Sequence, residues 1–137
     1  MTDFTIEKKI YYHDTDCGGV VYYANYLKYL EEARTEYLIL RGIELPKLAE
    51  KGLWFVVARV EIDYKAPGRY QDRLTISARV EEARMATVKF FQEITRGDVL
   101  IARATTTLVC IGKDFKPVPV PEEIKKTIKN TDIIYNE

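Results

Sequence analysis

The sequence predicts an α+β fold: a strongly twisted antiparallel sheet of about five strands wrapped around one long helix. Three observations predict it. The first is a change of hydrophobic period, from helical spacing between residues 25 and 41 to alternation between residues 54 and 111. The second is the placing of turn signals, "APGRYQD" and "TRGD", between the alternating runs. The third is the order of elements. A helix lies between the first strand and a run of consecutive strands, an order that suits a meander closing on a helix better than a doubly wound sheet.

The elements follow in order. Residues 4–12, FTIEKKIYY, alternate well enough for a strand. Residues 13–21 are turn-like, with Asp, Thr and paired glycines. The helix is expected from Asn25 to Arg41. Tyr26, Leu30, Ala33, Tyr37 and Leu40 build its apolar stripe, widened by Leu27 and Leu38. Asn25 suits an N-cap whose side-chain oxygen takes an orphan amide. Gly42 stands where a left-handed C-terminal residue belongs. A short helix is expected at Leu45–Lys51. Val56, Ala58, Val60, Ile62 and Tyr64 are expected to share one strand face. Leu74, Ile76, Ala78 and Val80 make the next, and Val88, Phe90, Gln92 and Ile94 a third. Val99 to Ile111 is a long fourth run, and Pro121 suits the first position of a last helix. The outer sheet face and the two edge strands would still need cover, for which oligomerisation is the natural answer.

Size and composition narrow the function. The 137 residues fit a single domain, 1–137, and 47% hydrophobic content supplies a core. Lys plus Arg and Asp plus Glu each number 21, so there is no strong basic excess and nucleic acid is not the expected partner. The N-terminal residues have no long apolar run, so neither a signal peptide nor membrane insertion is expected, and a cytoplasmic location follows as the default. Two cysteines, Cys17 and Cys110, make neither a disulfide framework nor a metal motif. No metal or cofactor is expected.

The stretch "HDTDCGGVVYYANYLKYLEEARTEYL" carries the chemical signal. Asp16 sits in a glycine-containing loop that leads into a helix N-terminus. Gly18 and Gly19 would let backbone approach a ligand closely. Free amides and the helix dipole favour negative charge there. A developing oxyanion on those amides, with Asp16 as base or nucleophile, is the minimum equipment for attack on an activated carbonyl. The same residues also suit an ordinary turn and cap. His13 suits a strand end.

"YYHDTDCGGVVYYANYLKYLEEARTE" resembles the signature of the hot-dog-fold acyl-CoA thioesterases, in the branch of the 4-hydroxybenzoyl-CoA and Tol-Pal-associated enzymes. "FVVARVEIDYKAP" is similar to the same branch, so the resemblance runs from about Lys9 to Cys110. It implies that Asp16 is the catalytic carboxylate and that the backbone amide of Tyr23 faces the thioester oxygen. Gly19 and Val20 would shape the loop between them. Arg84, and more weakly Arg69, would contact the nucleotide end of coenzyme A. The sequence departs from the pattern at Tyr23, where many relatives carry histidine, and at Ala86, where one branch has a basic residue. Cys17 replaces a small residue or proline and would fill space. No cofactor is implied.

The expected reaction is hydrolysis of an acyl-CoA, with acyl-carrier protein as the alternative thioester carrier, in a homodimer or homotetramer. Asp16 would attack directly or activate water. Glu31 and Glu32 on the helix are the second candidates for the carboxylate. The rival functions are a non-catalytic acyl-CoA-binding or interaction protein and a hot-dog hydratase or dehydratase.

Overall fold

The computed structural model describes residues 3–135, with side chains through residue 128. The elements run β1 (Phe4–Lys9), a 3-10 turn (Tyr12–Asp14), α1 (Asn25–Leu40), α2 (Leu45–Glu50), β2 (Trp54–Tyr64), β3 (Arg73–Ala83), β4 (Thr87–Arg96), β5 (Val99–Ile111) and α3 (Glu122–Tyr135). All five strands join one antiparallel sheet in the order β1-β3-β4-β5-β2. This is the α+β hot-dog arrangement the sequence predicts.

One face of the sheet covers α1. Tyr29, Leu30, Ala33 and Tyr37 are at most 1% exposed, and burial of the larger side chains is worth about 2 kcal/mol each. Leu74, Ile76 and Ala78 of β3, Val88, Phe90 and Ile94 of β4, and Ala102 and Ala104 of β5 meet them. Ile124 and Ile128 of α3 close the core. The helix stripe differs from the expected one at its margins. Tyr29 and Arg34 are buried, whereas Leu27 and Leu40 are exposed, because the sheet curls around only part of the helix circumference.

The two ends of α1 differ. Asn25 does not cap it: no side-chain cap bond exists, and the Asn25 Nδ2 donates to the Asp14 carbonyl instead. The C-terminus is as expected. Gly42 has φ +78°, its N–H donates to Ile39 O, and the Ile43 N–H donates to Leu38 O. This double bond pattern satisfies the last carbonyls of the helix.

A buried polar knot ties α1 to the sheet. Gln92 is fully buried; its Nε2 donates to Leu30 O and Ser77 O, and its Oε1 accepts from Arg34 Nη1 at 3.1 Å. Burial pushes Arg34 below the usual guanidinium range, an effect Glu31 partly opposes.

The outer face of the sheet is charged. It carries cross-strand pairs such as Arg103–Glu93 at 3.1 Å and Lys89–Glu81 at 3.6 Å, with Arg79 stacked on Phe91. The β1 edge is short and charged. The β2 edge is long and uncovered, with Trp54, Val57, Val60 and Tyr64 all exposed. The face expected from alternation along β2 is not kept, because a bulge between Val57 and Arg59 shifts the register.

Gln92→Leu is expected to leave the Arg34 guanidinium buried without its acceptor, lowering unfolding free energy by about 3 kcal/mol in denaturant titration.

Candidate active site

The chain from Asp14 to Tyr22 folds back on itself as a miniature hairpin. At its base the Tyr22 N–H donates to Asp14 O, and one step up the Asp16 N–H donates to Val20 O, each at 2.9 Å. Thr15 and Val21 pair between them. At the tip the Gly19 N–H returns to Asp16 O at 3.0 Å, and Gly18 N–H donates to Asp16 Oδ1 at 2.8 Å. Gly19 has φ +79°, the left-handed conformation this turn requires. Gly18 has a different reason: a Cβ there would lie 3.2 Å from Asp16 Oδ1.

The hairpin is sewn to its surroundings. Val21 N–H donates to Gly68 O, Val20 pairs with Arg69, and the Gly68 N–H donates to the Tyr26 phenol oxygen at 3.0 Å. Arg96 Nη1 bonds Pro67 O and Asp72 Oδ2, holding the turn that contains Gly68. Burial raises the Tyr26 phenol above its ordinary value, so it stays protonated.

Asp16 is exposed at the hairpin tip, and among the described residues no cation lies within salt-bridge distance of it. Tyr23 lies where the hairpin runs into α1. Among the described residues nothing accepts its N–H, and the first intrahelical carbonyls face the other way. Beside it is a cleft of about 310 Å³ lined by Val21, Tyr23, Tyr26, Tyr64, Lys65 and Pro67. Tyr64 packs edge-on against Tyr23 at 6.2 Å and tilts against Tyr26 at 5.7 Å. Asp16 is not part of the cleft wall. Two other clefts sit at the opposite end of α1, around Gly42 and Glu44, and hold no hairpin residue.

The structure brings Asp16, Gly19, Val20 and Arg69 together at the hairpin, while Tyr23 follows the hairpin's base and lines the adjoining cleft without Asp16. Arg84 lies apart. It follows β3 at the end away from the hairpin, roughly 35 Å along the strand, and its guanidinium pairs with Glu82 at 2.9 Å. Glu31 accepts from Thr35 Oγ1, and Glu32 pairs with Lys8 at 3.7 Å. His13 is exposed in the 3-10 turn rather than at a strand end, stacked on Tyr11. Cys17 is exposed and fills no core space. Among the described residues no group of His, Cys, Asp and Glu is placed to hold a metal ion. No helix is long and apolar enough to cross a membrane among them.

Sequence reasoning missed Tyr26, Tyr64, Gly68 and Arg96, which shape the site from distant segments. It also missed Asp14, which is buried. Only its place beside Asp16 pointed to it, and that spacing carries no signal about burial.

A long helix held in a curved five-stranded antiparallel sheet is the hot-dog architecture. The chain belongs to the thioesterase-like superfamily, whose model matches residues 11–128. It is 41% identical over 125 residues to the acyl-CoA thioesterase YbgC of Haemophilus influenzae, covering 89% of this chain and 91% of that protein. The crystal structure of a 1,4-dihydroxy-2-naphthoyl-CoA thioesterase from Synechocystis superposes with a TM-score of 0.87 at 29% identity, covering 96% of this chain and 98% of that one. A thioesterase from Thermus thermophilus, complexed with coenzyme A and zinc, gives 0.84 at 28% identity, covering 96% and 97%.

Gly19→Ala is expected to cost about 1 kcal/mol of stability through backbone strain alone, since the added Cβ meets nothing within 4 Å. Thermal unfolding measures it.

Proposed function

We propose that this protein hydrolyses acyl-CoA thioesters to free acid and coenzyme A, with Asp16 as the acting carboxylate. The observation that carries the reading is the hairpin itself. It holds one carboxylate at its tip and delivers the chain into α1 with the Tyr23 N–H unused among the described residues. That N–H and the helix dipole would stabilise the oxyanion formed when the carbonyl is attacked. Asp16 Oδ1 is held by Gly18, which leaves Oδ2 to take a proton from water or to attack the carbonyl. In either route oxygen bonds to the carbonyl carbon, the C–S bond breaks, and the thiolate of coenzyme A leaves and is protonated. Direct attack leaves an Asp16 anhydride that water then opens. Single turnover in ¹⁸O-water followed by mass spectrometry separates them, since only the anhydride route can put label into Asp16.

The active form is a dimer, or a tetramer built from such dimers. The β2 edge supports this: eleven residues long, uncovered, and bearing exposed Val57 and Val60. Strand direction adds a second argument. Tyr64 ends β2 on the hairpin side, and Trp54 starts it on the Arg84 side. Two β2 edges paired antiparallel about a two-fold axis would set the hairpin of one copy on the same side as Arg84 of the other. Arg84 would then serve the second copy's coenzyme A phosphates, while Arg69 stays beside its own hairpin.

Glu31 and Glu32 rank below Asp16, because both carboxylates already have partners on or beside the helix. A hydratase reading lacks an imidazole at the helix start, where Tyr23 stands. A binding-only protein would take up acyl-CoA without releasing thiol. Acyl-carrier protein as thioester carrier and a cytoplasmic site of action are compatible with this reading.

Asp16→Asn is expected to lower kcat on acyl-CoA by at least about 10²-fold with the fold intact by circular dichroism; near wild-type turnover would overturn the assignment. In sedimentation the protein is expected to run as a dimer or larger. Arg84→Ala should raise KM for acyl-CoA about tenfold with little change in kcat, and a monomer with unchanged KM would refute the shared site.

A further inference from the structure

Asp14 is the aspartate the proposed reaction does not use, and it is the better-held of the two. It is 7% exposed. Its Oδ1 accepts from the Tyr29 hydroxyl and its Oδ2 from the Tyr11 N–H, each at 2.8 Å. Its backbone carbonyl accepts from the Tyr22 N–H and from Asn25 Nδ2, each at 2.9 Å. Four donors thus converge on one residue, from the chain before the hairpin, from the hairpin's returning arm and from two turns of α1. Among the described residues no cation pairs with the carboxylate. A buried acid so placed is tolerated because its oxygens are satisfied.

Tyr29 is 1% exposed, one turn into α1 beyond Asn25. Its phenol is raised above the ordinary value by burial and then by the Asp14 carboxylate, so it remains a donor. The Tyr29 ring is fixed from other sides as well, edge-on to Tyr26 and under the Lys8 ammonium. The hydroxyl is therefore a fixed point on the helix, and Asp14 is the link from that point to the base of the hairpin.

We propose that Asp14 and Tyr29 form a positioning pair for Asp16. The pair locks the base of the hairpin to α1, so that the carboxylate at the tip keeps a set place relative to the Tyr23 N–H at the helix start. Only Thr15 separates Asp14 from Asp16, and the hairpin is closed by its own hydrogen bonds, so a shift at the base is carried to the tip. A misplacement of about 1 Å in a reacting group costs up to ~10² in rate. The pair touches no reacting atom and should act on turnover rather than on coenzyme A binding. This inference rests on the thioesterase reading above.

The test is a double-mutant cycle on acyl-CoA hydrolysis. Tyr29→Phe removes one hydroxyl and keeps the ring; it is expected to lower kcat about tenfold with KM within about twofold. Asp14→Asn should do the same, and the double variant should be no worse than the more impaired single one. Wild-type kcat in Tyr29→Phe, whatever its melting temperature, overturns the proposal, as do losses that multiply in the double variant or a KM that rises in step. If Asp14→Asn fails to fold, Tyr29→Phe decides alone. Wild-type protein that releases no thiol from any acyl-CoA would remove the thioesterase reading; an Asp16→Asn variant that still turns over would remove the Asp16 assignment and the positioning pair with it; an inactive Asp16→Asn alongside an unimpaired Tyr29→Phe would remove only the positioning pair.

Discussion

Burial of one long helix against one face of a curved sheet is the constraint on which the rest depends. A single helix of 16 residues presents an apolar face too broad for two strands to cover. Five strands curl around it, and the polar knot of Gln92, Arg34, Leu30 and Ser77 fixes its depth and rotation. Apolar contact alone would let the helix slide; hydrogen bonds at fully buried atoms tolerate almost no displacement. With the helix fixed, its N-terminus becomes a defined point in space. A segment that reaches that point inherits its precision.

The hairpin of residues 14–22 is that segment, and its two aspartates show how environment divides roles between identical side chains. Asp14 is enclosed and takes hydrogen bonds on both carboxylate oxygens. Asp16 stands in solvent with one oxygen engaged by the next turn of chain. The first suits fixing geometry and the second suits chemistry. Loops carry function because a rigid scaffold positions them. Here the scaffold grips the hairpin through the buried Asp14, through the bond from Val21 N–H to Gly68 O and through the Val20–Arg69 pairing.

Assembly belongs to the same logic. The outer sheet face carries charge pairs. The β2 edge is unfinished. Its free main-chain groups and exposed Val57 and Val60 would give a second copy a place to pair. Such pairing would gather groups that one chain keeps at opposite ends of its strands. The distance between Asp16 and Arg84 within one chain would then reflect a division of labour between copies.

The sequence by itself determined the secondary structure and its order. Periods of 3.6 and 2, Gly42 at the helix end and glycines at the hairpin tip are local signals, each set by backbone sterics or by one face of one element. It also drew attention to Asp16, an acid among glycines before a helix, although that pattern suits an ordinary turn as well and the catalytic role came from the resemblance of the whole stretch. Tertiary structure decided the rest. Asn25 reads as a cap, but its amide went to Asp14, a partner eleven residues away. Leu27 and Leu40 read as core, but the sheet's curvature stops short of them. The burial of Asp14 and its hydroxyl partner on Tyr29, and the hold of Tyr26 on Gly68, join segments far apart in sequence. No periodicity encodes such contacts, since they depend on how far the sheet bends around the helix and on where the chain re-enters after β1 and β2.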